Sequence, residues 1–206
     1  MNIGVIESMG RSFSEGEKKR ILRSLKSLAT ERFAAQGIKG TTVEELTQGV
    51  GISKGAFYQF FPSKEELFFS LVEEREQAMR EPLLKLDVHD KAAVRDLILS
   101  LLVLWKSDPL LRIIADPQEY QVLLRRLPEE RLAEHLANDE RDLGIYFGRR
   151  LAADNPELGG LLGAAFRGLF LMTLHEKEIG QELLQPVLTF LIEAVLDKVY
   201  GNEEKP

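Results

Sequence analysis

The sequence contains no cysteine in 206 residues. That excludes a disulfide framework and a thiolate zinc site, and with nothing arguing for an oxidising compartment the cytoplasm is the expected location. Long apolar runs are missing too: the most apolar stretch, Asp96 to Trp105, falls short of the roughly 18 residues that span a bilayer. The first ten residues lack a basic start, a continuous apolar stretch and a small-residue cleavage site, so they do not read as a signal peptide. Period-2 alternation bounded by turn residues is absent, which argues against strands. Histidine is sparse: none of His89, His135 and His175 has a glutamate three positions earlier, and no H-E-x-x-H occurs, so neither a metal site nor a cofactor is expected.

What is present is apolar material for a core, 44% of residues, and an uneven charge. The net charge is −6, but between Arg11 and Lys64 ten Lys and Arg face five Glu, an excess of +5, leaving −11 on the remainder. A basic head on an acidic body suits a protein that meets a polyanion with one end only.

Helical signals fill the chain, and the expected class is all-α. Ser14 with Glu17 forms a capping box, and the helix they open presents Ile21, Leu25, Leu28, Ala29 and Phe33 on one stripe before Gly37 closes it. Thr42 with Glu45 caps a short second helix, Thr41 with Glu44 serving equally, and Gly49 and Gly51 end it. Ser53 caps a third, through Phe57 and Tyr58 to about Phe60, stopped by Pro62. Ser63 with Glu66 then opens a fourth, predicted to run to about Arg80, ahead of Pro82. Longer amphipathic helices are expected at about 89–106, 109–126 (interrupted near Asp116-Pro117), 129–153, 157–176 and 181–200. Residues 1–13 carry no signal beyond that of a flexible arm.

Two short helices joined by a glycine-containing turn, braced by a longer one, form the helix-turn-helix plan, whose second short helix enters the major groove of DNA. In that helix Lys54, Gly55, Ala56 and Gln59 read as outward and Phe57 and Phe60 as packing residues. Ser53-Lys54 and Ser63-Lys64 each put a cation in a first helical turn, where the macrodipole disfavours it by roughly 0.3–1 kcal/mol unless an anion such as phosphate is also there. Exposed lysines also occur at helix starts with no such partner.

Residues 40–67, GTTVEELTQGVGISKGAFYQFFPSKEEL, resemble the DNA-binding segment of the TetR (tetracycline-repressor) family, and Arg20, Ile21, Leu22, Ala29, Phe33 and Gly37 fit that family's first helix. The resemblance covers about residues 18–70. It implies a three-helix DNA-binding domain within residues 1–62 and a larger helical effector-binding and dimerisation domain over 63–206. It also implies that Lys54, Gly55, Ala56 and Gln59 face base edges or nearby backbone, while Thr41, Thr42, Ser53, Tyr58 and Lys64 hold phosphates. Tyr58, between two phenylalanines, reads equally as a packing residue with its hydroxyl at the surface. The sequence departs from the family's usual alanines at Thr47 and Val50, which bears on how closely the short helices pack.

Members of the family pair through their last two helices. Here the final helix is apolar nearly all round, and the one before it carries Gly159, Gly160, Gly163, Ala164, Ala165 and Gly168, which suits a homodimer as well as a helix buried in a monomeric core. A two-fold dimer implies a palindromic operator on double-stranded DNA. Trp105, Tyr120, Tyr146, Phe147, Phe166, Phe170 and Met172 are candidates to line an effector pocket, with His135, Arg167 and His175 as polar anchors. The resulting expectation is a repressor released by a small molecule, with no membrane role.

Two other readings compete. Gly51-Ile52-Ser53-Lys54-Gly55 matches the G-x-S-x-G nucleophile elbow, but that motif needs a strand before it, so Ser53 reads as a cap and the chain as no enzyme. A helical protein-interaction adaptor would explain the acidic body but not the basic, glycine-punctuated head.

Overall fold

The computed structural model describes residues 13–85, 90–135, 137–138, 141 and 156–201, and every regular element among them is helical. In chain order these are α1 (Glu15–Gly40), α2 (Val43–Val50), α3 (Lys54–Phe57), α4 (Lys64–Lys85), α5 (Lys91–Ser107), α6 (Leu111–Ala115) and α7 (Pro117–Arg126). A helical stretch over 129–135, α8, follows. The described chain ends with α9 (Pro156–Leu174), α10 (Glu176–Ile179) and α11 (Gln181–Tyr200).

The helix starts follow local chemistry. Ser14–Glu17 and Thr42–Glu45 both form complete capping boxes, the Ser53 hydroxyl accepts from the Ala56 amide, and the Ser63 hydroxyl accepts from that of Glu66. Asp116 caps α7, with Pro117 in its first turn.

Three boundaries differ from expectation. The regular part of α3 stops at Phe57, and residues 58–60 continue as tight turns, with the Gln59 amide bonded to the Ala56 carbonyl and that of Phe60 to the Phe57 carbonyl. Helix α4 passes through Pro82 to Lys85. Proline removes one amide and crowds the carbonyl four residues back, but Pro82 is exposed and only one turn follows it, so few bonds are at stake. In the last expected helix pair, α9 ends at Leu174 and the separate turn α10 precedes Gly180. The greater part of the helix expected over 129–153 lies outside the described residues.

Two apolar clusters organise the chain. The first joins Leu25, Ala29, Phe33 and Ile38 of α1 to Leu46 and Phe57, to Leu67, Phe68 and Leu71 of α4, and onward to Leu111 and Leu123. The second joins Val94, Ile98, Leu101 and Leu102 of α5 to Leu162, Phe166 and Leu169 of α9 and to Leu184, Leu188, Ile192 and Leu196 of α11. Met79 of α4 touches both. The four-residue spacing of the buried α11 leucines and isoleucine marks a single inward stripe. On the other side of α11, Leu183 and Phe190 are 59% and 70% exposed, and Leu161 on α9 is 67% exposed.

Candidate functional site

The head is held in shape by contacts that replace backbone bonds lost where α1 breaks. At Gly37 the chain has φ +72° and ψ −178°, a region open in practice only to glycine. The amides just beyond the break are taken by one carboxylate: Glu119 Oε2 of α7 accepts from Ile38 N at 2.9 Å and Lys39 N at 3.2 Å. The carbonyls there are taken by a cation, since Lys64 Nζ donates to Ile38 O and Thr41 O, both at 2.6 Å. Thr41 itself is fully buried, its hydroxyl donating to the Gly37 carbonyl at 2.8 Å.

Two of the expected phosphate ligands are engaged within the protein instead of presented to the outside. Thr41 and Lys64 face inward and build the frame, because each finds an unsatisfied backbone group nearer than solvent. Ala56, expected outward, is also buried, 6% exposed, beside Phe57. On a helix this short, the inward face needs a small residue beside the large one.

The remaining candidates lie on the outside. Thr42, Ser53, Lys54, Gly55 and Gln59 are exposed, and Tyr58 is 54% exposed, its ring edge-on to Phe57 at 5.4 Å. Lys54 forms an ion pair with Glu44 across the turn between α2 and α3. Thr42 hydrogen bonds hold the Glu45 carboxyl below the usual carboxylate range, the bond from the Thr42 amide being the strongest influence. Thr47 is buried with its hydroxyl donating to the Glu44 carbonyl at 3.0 Å, and Val50 packs against the first cluster, so the departures from alanine are absorbed in the packing. Ser53, the serine of the G-x-S-x-G match, follows helix α2 and the turn at Gly51, where a nucleophile elbow would need a strand.

A second site is a cavity of about 790 Å³ bounded by α4 through α9. Of the expected effector residues, Trp105, Tyr120, Arg167, Phe170 and His175 line it, as does His135. Phe166 does not: it is 2% exposed inside the second cluster, one turn before Phe170, which packs against that cluster and also borders the cavity. Met172 packs against that same cluster, and Tyr146 and Phe147 lie outside the described residues. Not foreseen was the wall supplied by α4, with Phe69, Val72, Glu76, Met79 and Arg80. Beside this wall His135 is buried, with Nδ1 3.3 Å from Glu73 and Nε2 3.3 Å from Glu76. Arg131 grips Glu73 with both ends of its guanidinium and lies over the Phe69 ring at 5.0 Å; the Glu73 hydrogen bond pushes its pKa further up.

Comparison with known proteins addresses the head and the whole fold separately. Residues 27–71 match the family model described as bacterial regulatory proteins, tetR family. A nucleoid occlusion factor SlmA of Haemophilus ducreyi is 46% identical over 44 residues, 21% of this chain and 22% of that protein. The repressor KstR2 of Mycobacterium tuberculosis is 42% identical over 48 residues, 23% of this chain and 24% of that one. The chain thus aligns with only about a fifth to a quarter of the length of these curated relatives. The crystal structure of a TetR-family transcriptional regulator from Pectobacterium atrosepticum is similar over 94% of this chain and 100% of that one, with a TM-score of 0.65 at 16% identity, a likeness of fold. Residues 27–71 thus match the tetR family of bacterial regulatory proteins, and the helical fold that carries them is similar to that of a TetR-family regulator.

Proposed function

We propose that this protein is a cytoplasmic DNA-binding transcriptional regulator, a homodimer that represses at a palindromic operator and is released when a small molecule enters the α4–α9 cavity. The observation that carries the reading is the division of residues 53–59. Lys54, Gly55, Tyr58 and Gln59 are exposed together while Ala56 and Phe57 anchor them from beneath.

In this reading Lys54 and Gln59 meet base edges, Gln59 pairing bidentately with adenine, and Gly55 lets the backbone come close. Thr42, Ser53 and Tyr58 take phosphates, which set register without reading sequence. Residues 1–62 act as the DNA-binding unit and 63–206 as the effector and dimerisation unit, although packing runs across that division. The exposed Leu161, Leu183 and Phe190 support pairing through α9 and α11, since apolar side chains of that size are seldom left in water on two neighbouring helices. Helix α7 supports ligand control: Pro117, Tyr120 and Leu123 line the cavity, and Glu119 between them holds the end of α1. A ligand that favours one position of α7 therefore favours one position of the head.

The test is selection from a pool of random duplexes with sequencing of the bound fraction, repeated for the Lys54→Ala, Gln59→Ala double variant. Enrichment of one palindrome, lost or altered in the variant, is the expected result. A folded protein that enriches nothing at low salt would refute the regulator and favour a protein-interaction module.

A further inference from the structure

The charged groups around the cavity are not alike in their pairing. Glu76 lies 3.3 Å from His135, His135 also faces Glu73, His175 has Glu178 at 3.8 Å, Arg80 is engaged, and Glu129 is exposed. Arg167 differs: among the described residues no carboxylate lies within ion-pairing distance of it, and its buried Nε has no acceptor. Trp105 Nε1 is likewise buried without an acceptor. The two share a wall, because the Trp105 ring packs on Phe170 at 5.0 Å and Phe170 follows Arg167 by three residues on one face of α9.

We infer that this wall seats the head group of an amphiphilic carboxylic acid. One carboxylate accepts from Arg167 and from the Trp105 indole N–H, and an apolar body lies along Leu101, Leu123, Leu127 and Leu132. Both orphaned groups are donors, and buried donors left without acceptors are costly, so the complementary ligand brings acceptors. One of the donors belongs to a permanent cation, which favours an anion over an alcohol or amide. A single negative charge fits better than the double charge of a phosphate, because Glu76 stands on the α4 wall of the same cavity. An amine would need a free carboxylate, and Glu76 is already against His135. The inference deepens the effector part of the proposed function and rests on that reading for its biological meaning, but the binding chemistry is tested independently of DNA.

Trp105 is the sole tryptophan of the chain and so reports directly on this wall. The experiment is a fluorescence titration of the full-length protein with dodecanoate, dodecanol and dodecylammonium, below their micelle concentrations. Dodecanoate is expected to shift Trp105 emission saturably and to bind about tenfold or more tighter than the alcohol, with the ammonium weakest. Arg167→Met, checked for unchanged helix content, is expected to bind acid and alcohol alike, and Arg167→Lys to restore part of the preference. Equal or tighter binding of the ammonium, or an acid preference untouched in Arg167→Met, overturns the inference. A second arm adds dodecanoate to protein bound to its selected duplex and reads release. Duplex binding with no acid preference in the first arm refutes the carboxylate seat alone, whereas an acid preference with no duplex enriched refutes the regulator alone.

Discussion

Replacing Gly37 with alanine tests the hinge of the head and the carboxylate that holds it in one experiment. A side chain at Gly37 meets two obstacles. Its φ of +72° with ψ near 180° disfavours any L-residue by about 1–3 kcal/mol, and a Cβ there would lie 2.8 Å from Glu119 Oε1 and 3.1 Å from Cδ. The carboxylate sits at the end of a flexible side chain and can retreat, but in doing so it releases the amides of Ile38 and Lys39. Charge-assisted bonds of this kind contribute about 1.5–3 kcal/mol where buried; with Lys39 exposed and able to find water, we expect about 2 kcal/mol for the pair. Glu119→Ala should therefore destabilise by about 2 kcal/mol, and Gly37→Ala by about 4, the sum of strain and lost bonds. In the double variant the bonds are already gone and the methyl has room. Its destabilisation should stay near 4 kcal/mol, about 2 less than the sum of the single changes. Urea unfolding followed by far-UV circular dichroism measures all three. Additivity within about 0.5 kcal/mol, or a neutral Glu119→Ala, would refute the argument that α7 holds the end of α1.

Other expectations follow from the same head. Lys64→Met should lower stability by about 2 kcal/mol in the same assay through loss of its two carbonyl acceptors, and with this ammonium spent on carbonyls the salt dependence of DNA binding is expected to stay unchanged; a shallower salt dependence would return Lys64 to the phosphate contacts. Glu44→Gln frees Lys54 from its ion pair and should tighten duplex binding about 1.5- to 5-fold at low salt, with the gain fading as salt rises; weaker binding would contradict it. Glu45 has its pKa lowered from the ordinary 4.5, so its capping contribution is fully present above that value and disappears as pH falls through the lower folded-state value. Glu45→Gln should accordingly be less stable than the parent at pH 7, and the two unfolding curves should converge below pH 4.5. On the proposed pairing through α9 and α11, Phe190→Glu should convert a two-chain species to one chain in sedimentation equilibrium, by placing a charge on the exposed apolar face of α11; an unchanged mass would remove α11 from the proposed interface.

Features closed within three or four residues were readable from the chain alone. The caps at Ser14, Thr42, Ser53 and Ser63 each pair with an amide three positions on, and that signal is complete in the local sequence. What depends on packing was not readable. Lys64 reads as an exposed cation until α1 brings two carbonyls to it, and Thr41 reads as a phosphate ligand until its hydroxyl is found on Gly37. Glu119 reaches Ile38 across 81 residues, a pairing no local pattern encodes. Phe166 and Phe170 stand four apart on one face of a helix rich in small residues, and only the packing separates them: both meet the second cluster, but Phe166 is enclosed in it while Phe170 also meets Trp105 at the cavity. The α4 wall escaped notice because Phe69, Val72 and Met79 read as ordinary core.

The carboxylate of Glu119 also bears on whether the head can be moved to another protein. A graft of residues 15–62 alone would carry the break at Gly37 but leave the amides of Ile38 and Lys39 open, and would omit Lys64, leaving the carbonyls of Ile38 and Thr41 uncovered. Such a chimera should recover its fold only with a recipient that supplies a carboxylate and an ammonium at those two points. Compatibility between heads and bodies is then set by a pair of charges at the junction rather than by the length of the connection.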